Sequence, residues 1–154
     1  MGTFKKALII FIAEGAYSGK SPIAPGTAGT CVGIILYLLM KNFSPLVYLS
    51  GCIAITLIGT WAAGHAEIIL GKKDASPIVI DEIAGYLISM FLVPTGWWFV
   101  IAGFFIFRLF DILKPWPLMH VQDLGGGPGV MLDDIGAGVY TNLTLQAAAL
   151  LLKQ

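Results

Sequence analysis

Long apolar stretches alternate along the chain with short polar segments that are rich in glycine and proline. Four stretches contain no charged residue, and they cover 20, 23, 25 and 18 residues at positions 21–40, 42–64, 83–107 and 135–152. A helix needs about 20 apolar residues to cross a hydrocarbon core roughly 30 Å thick. The pattern therefore predicts a helical membrane protein. The alternative is a soluble helical bundle with an unusually apolar core.

The breaks between the apolar stretches define the expected helices. Residues 41–45 and 94–96 are predicted to be tight turns, because proline and glycine interrupt helices. The expected fold class is all-α: one domain over residues 1–154, built as a polytopic membrane bundle with an interfacial N-terminal helix over 7–13. The five predicted hydrophobic helices cover about 28–40, 46–66, 77–93, 97–112 and 134–152. The hairpin over 77–112 is short enough that one or both of its arms could be re-entrant.

Three polar segments, at 14–30, 65–82 and 108–134, lie on one side of the membrane if residues 94–96 turn the chain back. Every acid then falls on that side: Glu14, Glu67, Asp74, Asp81, Glu82, Asp111, Asp123, Asp133 and Asp134. Of the nine Lys and Arg residues, only Lys41 and Lys153 lie opposite. Because basic residues favour the cytoplasmic side, we expect the polar, Gly/Pro-rich loops to form a cytoplasmic active face.

Five acids stand at the ends of apolar helices, where charge is costly. They are Asp81, Glu82, Asp111, Asp133 and Asp134. Clustered carboxylates repel one another unless a cation lies between them, and a hard divalent ion with oxygen ligands meets that need. The five acids are therefore the candidate catalytic residues and ligands of Mg²⁺, which commonly joins carboxylates to substrate phosphate. The alternative is a set of solvated helix-end acids with no ligand role.

Basic residues near these acids are candidates for binding phosphate. Arg108 and Lys114 each lie three residues from Asp111, so a helix places all three on one face. A guanidinium can fork to two phosphate oxygens, although a salt bridge between Arg108 and Asp111 is the structural alternative. Lys20, Gly26 and Thr27 belong to a loop ahead of a helix N-terminus, which favours anions, and they are further candidate phosphate ligands.

Three local patterns give more detailed expectations. Ser76 and Pro77 suit the N-cap and the first residue of a helix. Gly85 would allow close approach of either another helix or a lipid headgroup. The glycine-rich run 125–129 is expected to be a loop whose backbone approaches a ligand, with the last helix starting near Asp133.

Composition and motifs exclude several classes of protein. Hydrophobic residues make up 57% of the chain and charged residues only 12%, which excludes a disordered chain. Nine basic residues balance nine acidic ones, so the excess that drives nucleic-acid binding is missing. Cys31 and Cys52 form no CxxC motif, and the two histidines have no zinc-site spacing. If phosphate is cleaved, attack by metal-activated water is the simplest mechanism that remains.

Four sequence blocks together resemble the bacterial phosphatidylglycerophosphatase A family, in the family's order and spacing. They are SPIAPGTAGT at 21–30, IVIDEIAG at 78–85, FRLFDILKPWP at 107–117 and GGGPGVMLDDIGAG at 125–138. The resemblance implies a Mg²⁺-dependent phosphatase that converts phosphatidylglycerophosphate to phosphatidylglycerol at the cytoplasmic face of the bacterial inner membrane. It carries family roles onto Asp81, Glu82, Arg108, Asp111, Lys114, Asp133, Asp134, Pro25, Gly26 and Thr27.

The expected partners are the phosphatidylglycerophosphate substrate and membrane lipids, and the oligomeric state stays open, homo-oligomers included. A cation transporter is a rival hypothesis, but its pathway would need polar groups on both sides of the membrane. A CDP-alcohol phosphotransferase also uses clustered aspartates and Mg²⁺, but its Asp-rich signature is missing from this chain. A non-catalytic lipid-binding protein is the third rival, and the two pairs of adjacent acids argue against it.

Overall fold

A computed structural model describes residues 2–121 and 124–152 of the chain. Over those residues it contains seven α-helices, a 3-10 turn at Ser18–Lys20 and no strand, which confirms the all-α class. The helices are α1 (Thr3–Ala13), α2 (Pro25–Met40), α3 (Pro45–Leu70), α4 (Ile80–Ser89), α5 (Trp97–Leu113), α6 (Leu118–Val121) and α7 (Gly126–Leu151). Asp123 and Lys153, which the sequence analysis assigned to opposite sides of the membrane, lie outside the described residues.

Residues that cap or break helices fix the ends of the longer helices. Pro25 and Pro45 stand in the first turns of α2 and α3, where a backbone N–H would have no helical partner. Ser44 caps α3 by accepting a hydrogen bond from the Val47 N–H at 3.5 Å. Gly71 ends α3 in the left-handed conformation, with φ of 66°. The turn predicted at residues 41–45 is therefore present.

Helix α4 lies in the middle of the bundle and contacts α2, α3, α5 and α7. Its Tyr86 and Leu87 are fully buried. At its crossing with α7, a Cβ on Gly138 would lie 2.4 Å from the Gly85 carbonyl oxygen, so only glycine allows the two backbones to approach this closely. Gly85 therefore serves helix packing, and the crossing holds the acidic first turn of α4 against α7.

Helix lengths bear on the predicted five-span bundle. Among the described residues, one helix is long and apolar enough to cross a membrane by length and composition, namely α3 with 26 residues. The predicted arm at 77–93 contains only the 10 residues of α4, which span about 15 Å at 1.5 Å per residue. The N-terminal helix is found and is longer than predicted, at Thr3–Ala13. The five-span arrangement stays a prediction.

Two predicted helix starts are wrong. Ser76 and Pro77 do not begin a helix, because Ile78 donates to the Ala75 carbonyl at 2.8 Å and Val79 donates to the Ala13 carbonyl at 2.9 Å. The last helix begins at Gly126, ahead of the predicted start, so the glycine run forms its first turn. The reason is packing against α3: a Cβ on Gly127 would lie 1.9 Å from the Thr60 carbonyl oxygen. Glycine is required there for the approach of two helices, which corrects the expected ligand loop.

Candidate active site

One cavity of about 350 Å³ brings the three polar segments of the sequence together. Its walls come from the start of α2, the segment before α4 with the first turn of α4, the end of α5, and α7. All five predicted catalytic acids line it, together with three of the five predicted phosphate ligands. These residues are Asp81, Glu82, Asp111, Asp133, Asp134, Arg108, Lys114 and Gly26. The prediction that the polar segments share one side of the bundle is confirmed.

Helix geometry explains how the acids reach this cavity. Asp81 and Glu82 lie in the first turn of α4, where the positive end of the helix dipole favours a carboxylate. Asp133 and Asp134 lie two turns into α7, directly beyond the close Gly127 contact with α3. Asp111 lies in the last turn of α5. Three helices, α4, α5 and α7, therefore direct their carboxylates into one space.

Asp81, Glu82 and Asp134 form the centre of the site. Each offers a carboxylate oxygen, and these three oxygens lie within 4.8 Å of one another. Asp81 and Asp134 are only 8% and 3% exposed, so water cannot screen them well. Asp81 Oδ1, Glu82 Oε2 and Asp134 Oδ2 are buried and have no hydrogen-bond partner among the described residues. Such unpaired buried oxygens are costly, and a divalent cation with oxygen ligands would compensate all three at once.

Arg108 joins two of the acids at the edge of this centre. Its Nη1 lies 2.6 Å from Asp111 Oδ2 and 3.6 Å from Glu82 Oε1. The Arg108–Asp111 pair has the (i, i+3) spacing that the sequence indicated. The salt bridge that the sequence analysis gave as the alternative to phosphate binding is thus present. Both of its residues line the cavity.

Lys114 pairs with Asp133, a residue of α7. It stands directly after α5 in the left-handed conformation, with φ of 42°, and its Nζ donates a hydrogen bond to Asp133 Oδ2. Burial alone would lower the pKa of Lys114, but the hydrogen bond and the charge of Asp133 outweigh it and raise the pKa above its usual value. Lys114 therefore stays cationic. The cavity still has five predicted acids against two cations, an excess of negative charge.

Gly26 lies where a side chain would collide with the charged groups. A Cβ built on Gly26 would be 2.2 Å from Glu82 Oε1 and 2.8 Å from Arg108 Nη1. Pro25 stands beside it in the first turn of α2, after Ala24 in the left-handed conformation with φ of 50°. Gly26 thus presents bare backbone to the Glu82–Arg108 pair.

The other two predicted phosphate ligands are not brought to the cavity. Lys20 Nζ lies 3.6 Å from the buried Glu14 carboxylate and 4.5 Å from the centroid of the Tyr17 ring. The buried Glu14 carboxylate holds the ammonium group outside the cavity lining, and the role of Lys20 in binding phosphate stays a prediction. Thr27 stands one residue beyond Gly26 in α2 and is not part of the cavity lining.

Two polar residues of the lining were not predicted as site residues. They are Asp74, which the sequence analysis named only among the acids of the polar side, and Ser76, which it named only as a helix N-cap. Asp74 adopts a left-handed conformation with φ of 46°, and its N–H donates to Glu67 Oε1 at 2.6 Å. The available signal was their place in the polar segment that leads into Asp81. Only the bend at Asp74, which local sequence does not reveal, turns that segment toward the cavity.

Comparison with known proteins identifies the family. The sequence profile described as "PgpA: Phosphatidylglycerophosphatase A" matches residues 11–149. The chain belongs to the phosphatidylglycerophosphatase A family. That membership confirms the predicted resemblance and the prediction that the chain is a phosphatase.

Similar curated proteins come from three bacteria. A phosphatidylglycerophosphatase A of Escherichia coli is 40% identical over 137 residues, covering 84% of this chain and 77% of the relative. The Haemophilus influenzae protein of that name is 34% identical over 145 residues, covering 90% and 87%. A protein of Bacteroides thetaiotaomicron named "Putative phosphatidylinositol-3-phosphatase" is 39% identical over 150 residues, covering 92% and 93%. No solved structure matches the chain.

Proposed function

We propose that this phosphatase hydrolyses phosphatidylglycerophosphate to phosphatidylglycerol and inorganic phosphate, with Mg²⁺ as its cofactor. Two relatives that bear the name phosphatidylglycerophosphatase A support the substrate. The observation that carries the metal is the group of three carboxylate oxygens within 4.8 Å of one another, from Asp81, Glu82 and Asp134. Each of these residues also has a buried oxygen that makes no hydrogen bond within the described part of the chain, which suits a hard cation.

The residues that would hold Mg²⁺ are Asp81, Glu82 and Asp134, with Asp111 and Asp133 nearby. When bound, the ion would polarise a phosphoryl oxygen and lower the pKa of a coordinated water. The chain's own contribution is to place these acids on three rigid helices. Because their backbones are fixed by close helix packing, the site would need little rearrangement when substrate arrives.

Arg108 and Lys114 would bind the phosphoryl oxygens of the substrate. Asp111 holds Arg108 from one side at 2.6 Å, which leaves other guanidinium N–H groups free to fork to a phosphate. Lys114 is held by Asp133 of α7 and stays cationic. Two positive groups at the end of α5 would therefore neutralise the negative charge that develops on the phosphoryl group.

The proposal includes a multi-pass placement in the bacterial inner membrane, with the active site facing the cytoplasm. Helix α3 supplies one candidate span, and α2 is a shorter apolar helix of 16 residues. Many large apolar side chains are exposed along the bundle, including Leu57 at 66% and Phe105 at 65%, as expected for a surface that faces lipid. The acids and most basic residues belong to the polar segments at the active-site end of the bundle. The positive-inside bias predicts that this end faces the cytoplasm.

A phosphoinositide is the second candidate substrate, because the relative from Bacteroides thetaiotaomicron is named for phosphatidylinositol-3-phosphate hydrolysis. Both lipids carry a terminal phosphomonoester, which is the group the cavity would bind. A direct comparison decides between them: inorganic phosphate release from each lipid by detergent-purified protein in Mg²⁺. We expect phosphatidylglycerophosphate to be turned over at least about tenfold faster, which corresponds to about 1.4 kcal/mol. The reverse preference would refute the proposed substrate.

The site itself is tested in the same assay with Asp81→Asn and Asp134→Asn. Each change removes one charged ligand without changing side-chain size, so we expect a loss of at least about a hundredfold in turnover. Glu67→Gln is the matched control, since it removes one acid from the same end of the bundle outside the cavity lining. Its amide oxygen can still accept the Asp74 N–H. Near-normal turnover in both aspartate variants would refute the assigned site.

A further inference from the structure

Two adjoining cavities lie at the other end of α2 from the carboxylates. Their volumes are about 160 Å³ and 230 Å³, and both are lined by Tyr37, Lys41 and Thr95. Lys41 lies 15 residues beyond Gly26, which corresponds to about 22 Å along a helix axis. This pocket, between the end of α2 and the loop that joins α4 to α5, is therefore separate from the active site.

The polar groups of this pocket are suited to an anion. Within the described part of the chain, no ion pair involves Lys41, and every acid lies toward the active-site end. Tyr37 is only 3% exposed, and its hydroxyl, which makes no hydrogen bond to the described residues, is not fully enclosed by the protein. The neighbouring buried tyrosines are paired: Tyr48 donates to the Leu87 carbonyl at 2.8 Å, and Tyr86 donates to the Val100 carbonyl at 3.0 Å.

The surroundings of the pocket resemble a membrane interface. Trp97 and Trp98 begin α5 and are 67% and 84% exposed, and tryptophan is enriched at the level of lipid headgroups. Phe91, which lines the smaller cavity, also lines an almost wholly apolar cavity of about 180 Å³. Leu49 and Leu143 lie on the walls of that apolar cavity. A charged head and an acyl chain would thus find suitable surfaces next to each other.

We propose that this pocket binds the phosphodiester group of an anionic phospholipid from the leaflet opposite the active site. Lys41 supplies the opposite charge, and Tyr37 and Thr95 supply hydroxyl donors to the phosphate oxygens. Inorganic phosphate shares the anionic chemistry, but it would leave the apolar cavity beside Phe91 unused. The inference rests on the membrane placement proposed above and not on the identity of the substrate.

Native mass spectrometry of the detergent-purified full chain tests this site. The probe is dioleoylphosphatidylserine, an anionic phosphodiester that is neither the substrate nor the product of the proposed reaction. Dioleoylphosphatidylcholine and inorganic phosphate are the comparison ligands. We expect Lys41→Gln to weaken the first phosphatidylserine dissociation constant about tenfold and Tyr37→Phe about threefold, as expected for a lost charge-assisted and a lost neutral hydrogen bond. Tyr37→Phe removes no hydrogen bond to the described residues, so the variant should fold normally.

Lys5→Gln is the matched control, because it removes an exposed lysine from α1 and should change the constant less than about twofold. The proposal is overturned if Lys41→Gln binds phosphatidylserine like the wild type, or if Lys5→Gln weakens binding equally. Equal affinity for phosphatidylcholine would exclude charge recognition, and displacement of the lipid by millimolar phosphate would indicate a free-anion site.

Phosphate release measured on the same preparations separates this proposal from the proposed function. Lys41→Gln and Tyr37→Phe should keep wild-type turnover in detergent. An inactive wild type with intact lipid selectivity would refute the phosphatase assignment alone, whereas an active wild type with unchanged variants would refute the lipid site alone.

Discussion

Gly26→Ala is the substitution that tests the geometry of the active site most finely. Gly26 lies in the first turn of α2, and it has no side chain that could take part in a reaction. A new Cβ would stand 2.2 Å from Glu82 Oε1 and 2.8 Å from Arg108 Nη1. Both neighbours are ends of flexible side chains, so they can move aside and the protein can still fold.

The size of the effect follows from the distances. To reach an ordinary contact of 3.4 Å from the new Cβ, the Glu82 oxygen must retreat by about 1.2 Å from its position at 2.2 Å. Glu82 offers one of the three clustered carboxylate oxygens, so this shift opens the candidate metal site. A misplacement of about 1 Å in a catalytic group costs about a hundredfold in rate. Alanine is also the better helix former by about 1 kcal/mol, so the helix itself should not be weakened.

The assay is inorganic phosphate release from phosphatidylglycerophosphate at saturating Mg²⁺, with the thermal midpoint measured on the same preparation. We expect turnover to fall about a hundredfold while the midpoint stays within a few degrees. Gly125→Ala is the matched control: its Cβ would meet nothing within 4 Å, although it caps the helix that carries two of the site acids. Turnover of Gly125→Ala should stay within about threefold of wild type.

Two outcomes would contradict this reasoning. Wild-type turnover in Gly26→Ala would mean that the position of the Glu82 carboxylate does not matter for the reaction. An equal loss in Gly125→Ala would mean that any added methyl group near these helices impairs the enzyme. A Gly26→Ala protein that fails to fold would contradict the view that only flexible side-chain ends meet the new Cβ.

Three further expectations follow from the same contacts. Arg108→Lys should lower turnover about tenfold or more, because lysine cannot contact Asp111 and fork to phosphate at the same time; phosphate release measures it. Gly127→Ala should lower the free energy of unfolding by about 2 kcal/mol or more, because its Cβ would lie 1.9 Å from the Thr60 carbonyl oxygen; thermal unfolding measures it. Mg²⁺ at about a hundred times its dissociation constant should stabilise the wild type by about 2.7 kcal/mol and Asp134→Asn much less; unfolding with and without the ion measures it.

Each of these expectations has its own contradiction. Full activity of Arg108→Lys would mean that Arg108 stabilises the fold and does not bind the substrate phosphate. An unchanged unfolding midpoint for Gly127→Ala would show that α3 and α7 are not packed as closely as described. Equal stabilisation of the wild type and Asp134→Asn by Mg²⁺ would place the ion elsewhere in the chain.

The residues of the site could be predicted from the sequence because charge is rare in this chain. With only 12% charged residues, acids at the ends of apolar helices stand out, and spacing alone places Arg108 and Asp111 on one helix face. The turn predicted at residues 94–96 is sufficient to infer that the three polar segments lie on one side of the bundle. These inferences need only local helix geometry and the cost of charge next to lipid.

The boundaries that could not be predicted depend on contacts between distant parts of the chain. Ser76 and Pro77 have the right chemistry for a helix start, but Val79 is tied to the Ala13 carbonyl at 2.9 Å. The glycine run before Asp133 has the composition of a loop, and it is helical because α3 packs directly on it. A glycine that allows a turn and a glycine that allows close packing look the same in one sequence.

Lys20 shows the same limit for a side chain. Its place in a loop rich in hydroxyls and glycine made it a reasonable phosphate ligand. The structure pairs it with Glu14, whose side chain is buried. Burial of Glu14 could not be read from its neighbours in the sequence, since α1 is short and its partners lie far along the chain.

Metal dependence of the reaction tests the central claim most directly. Inorganic phosphate release from phosphatidylglycerophosphate would be measured with purified wild-type protein in Mg²⁺, then in excess EDTA, and then after Mg²⁺ is restored. The clustered oxygens of Asp81, Glu82 and Asp134 predict that release stops in EDTA and returns with the ion. Undiminished release in EDTA, from protein that stays folded, would contradict the account.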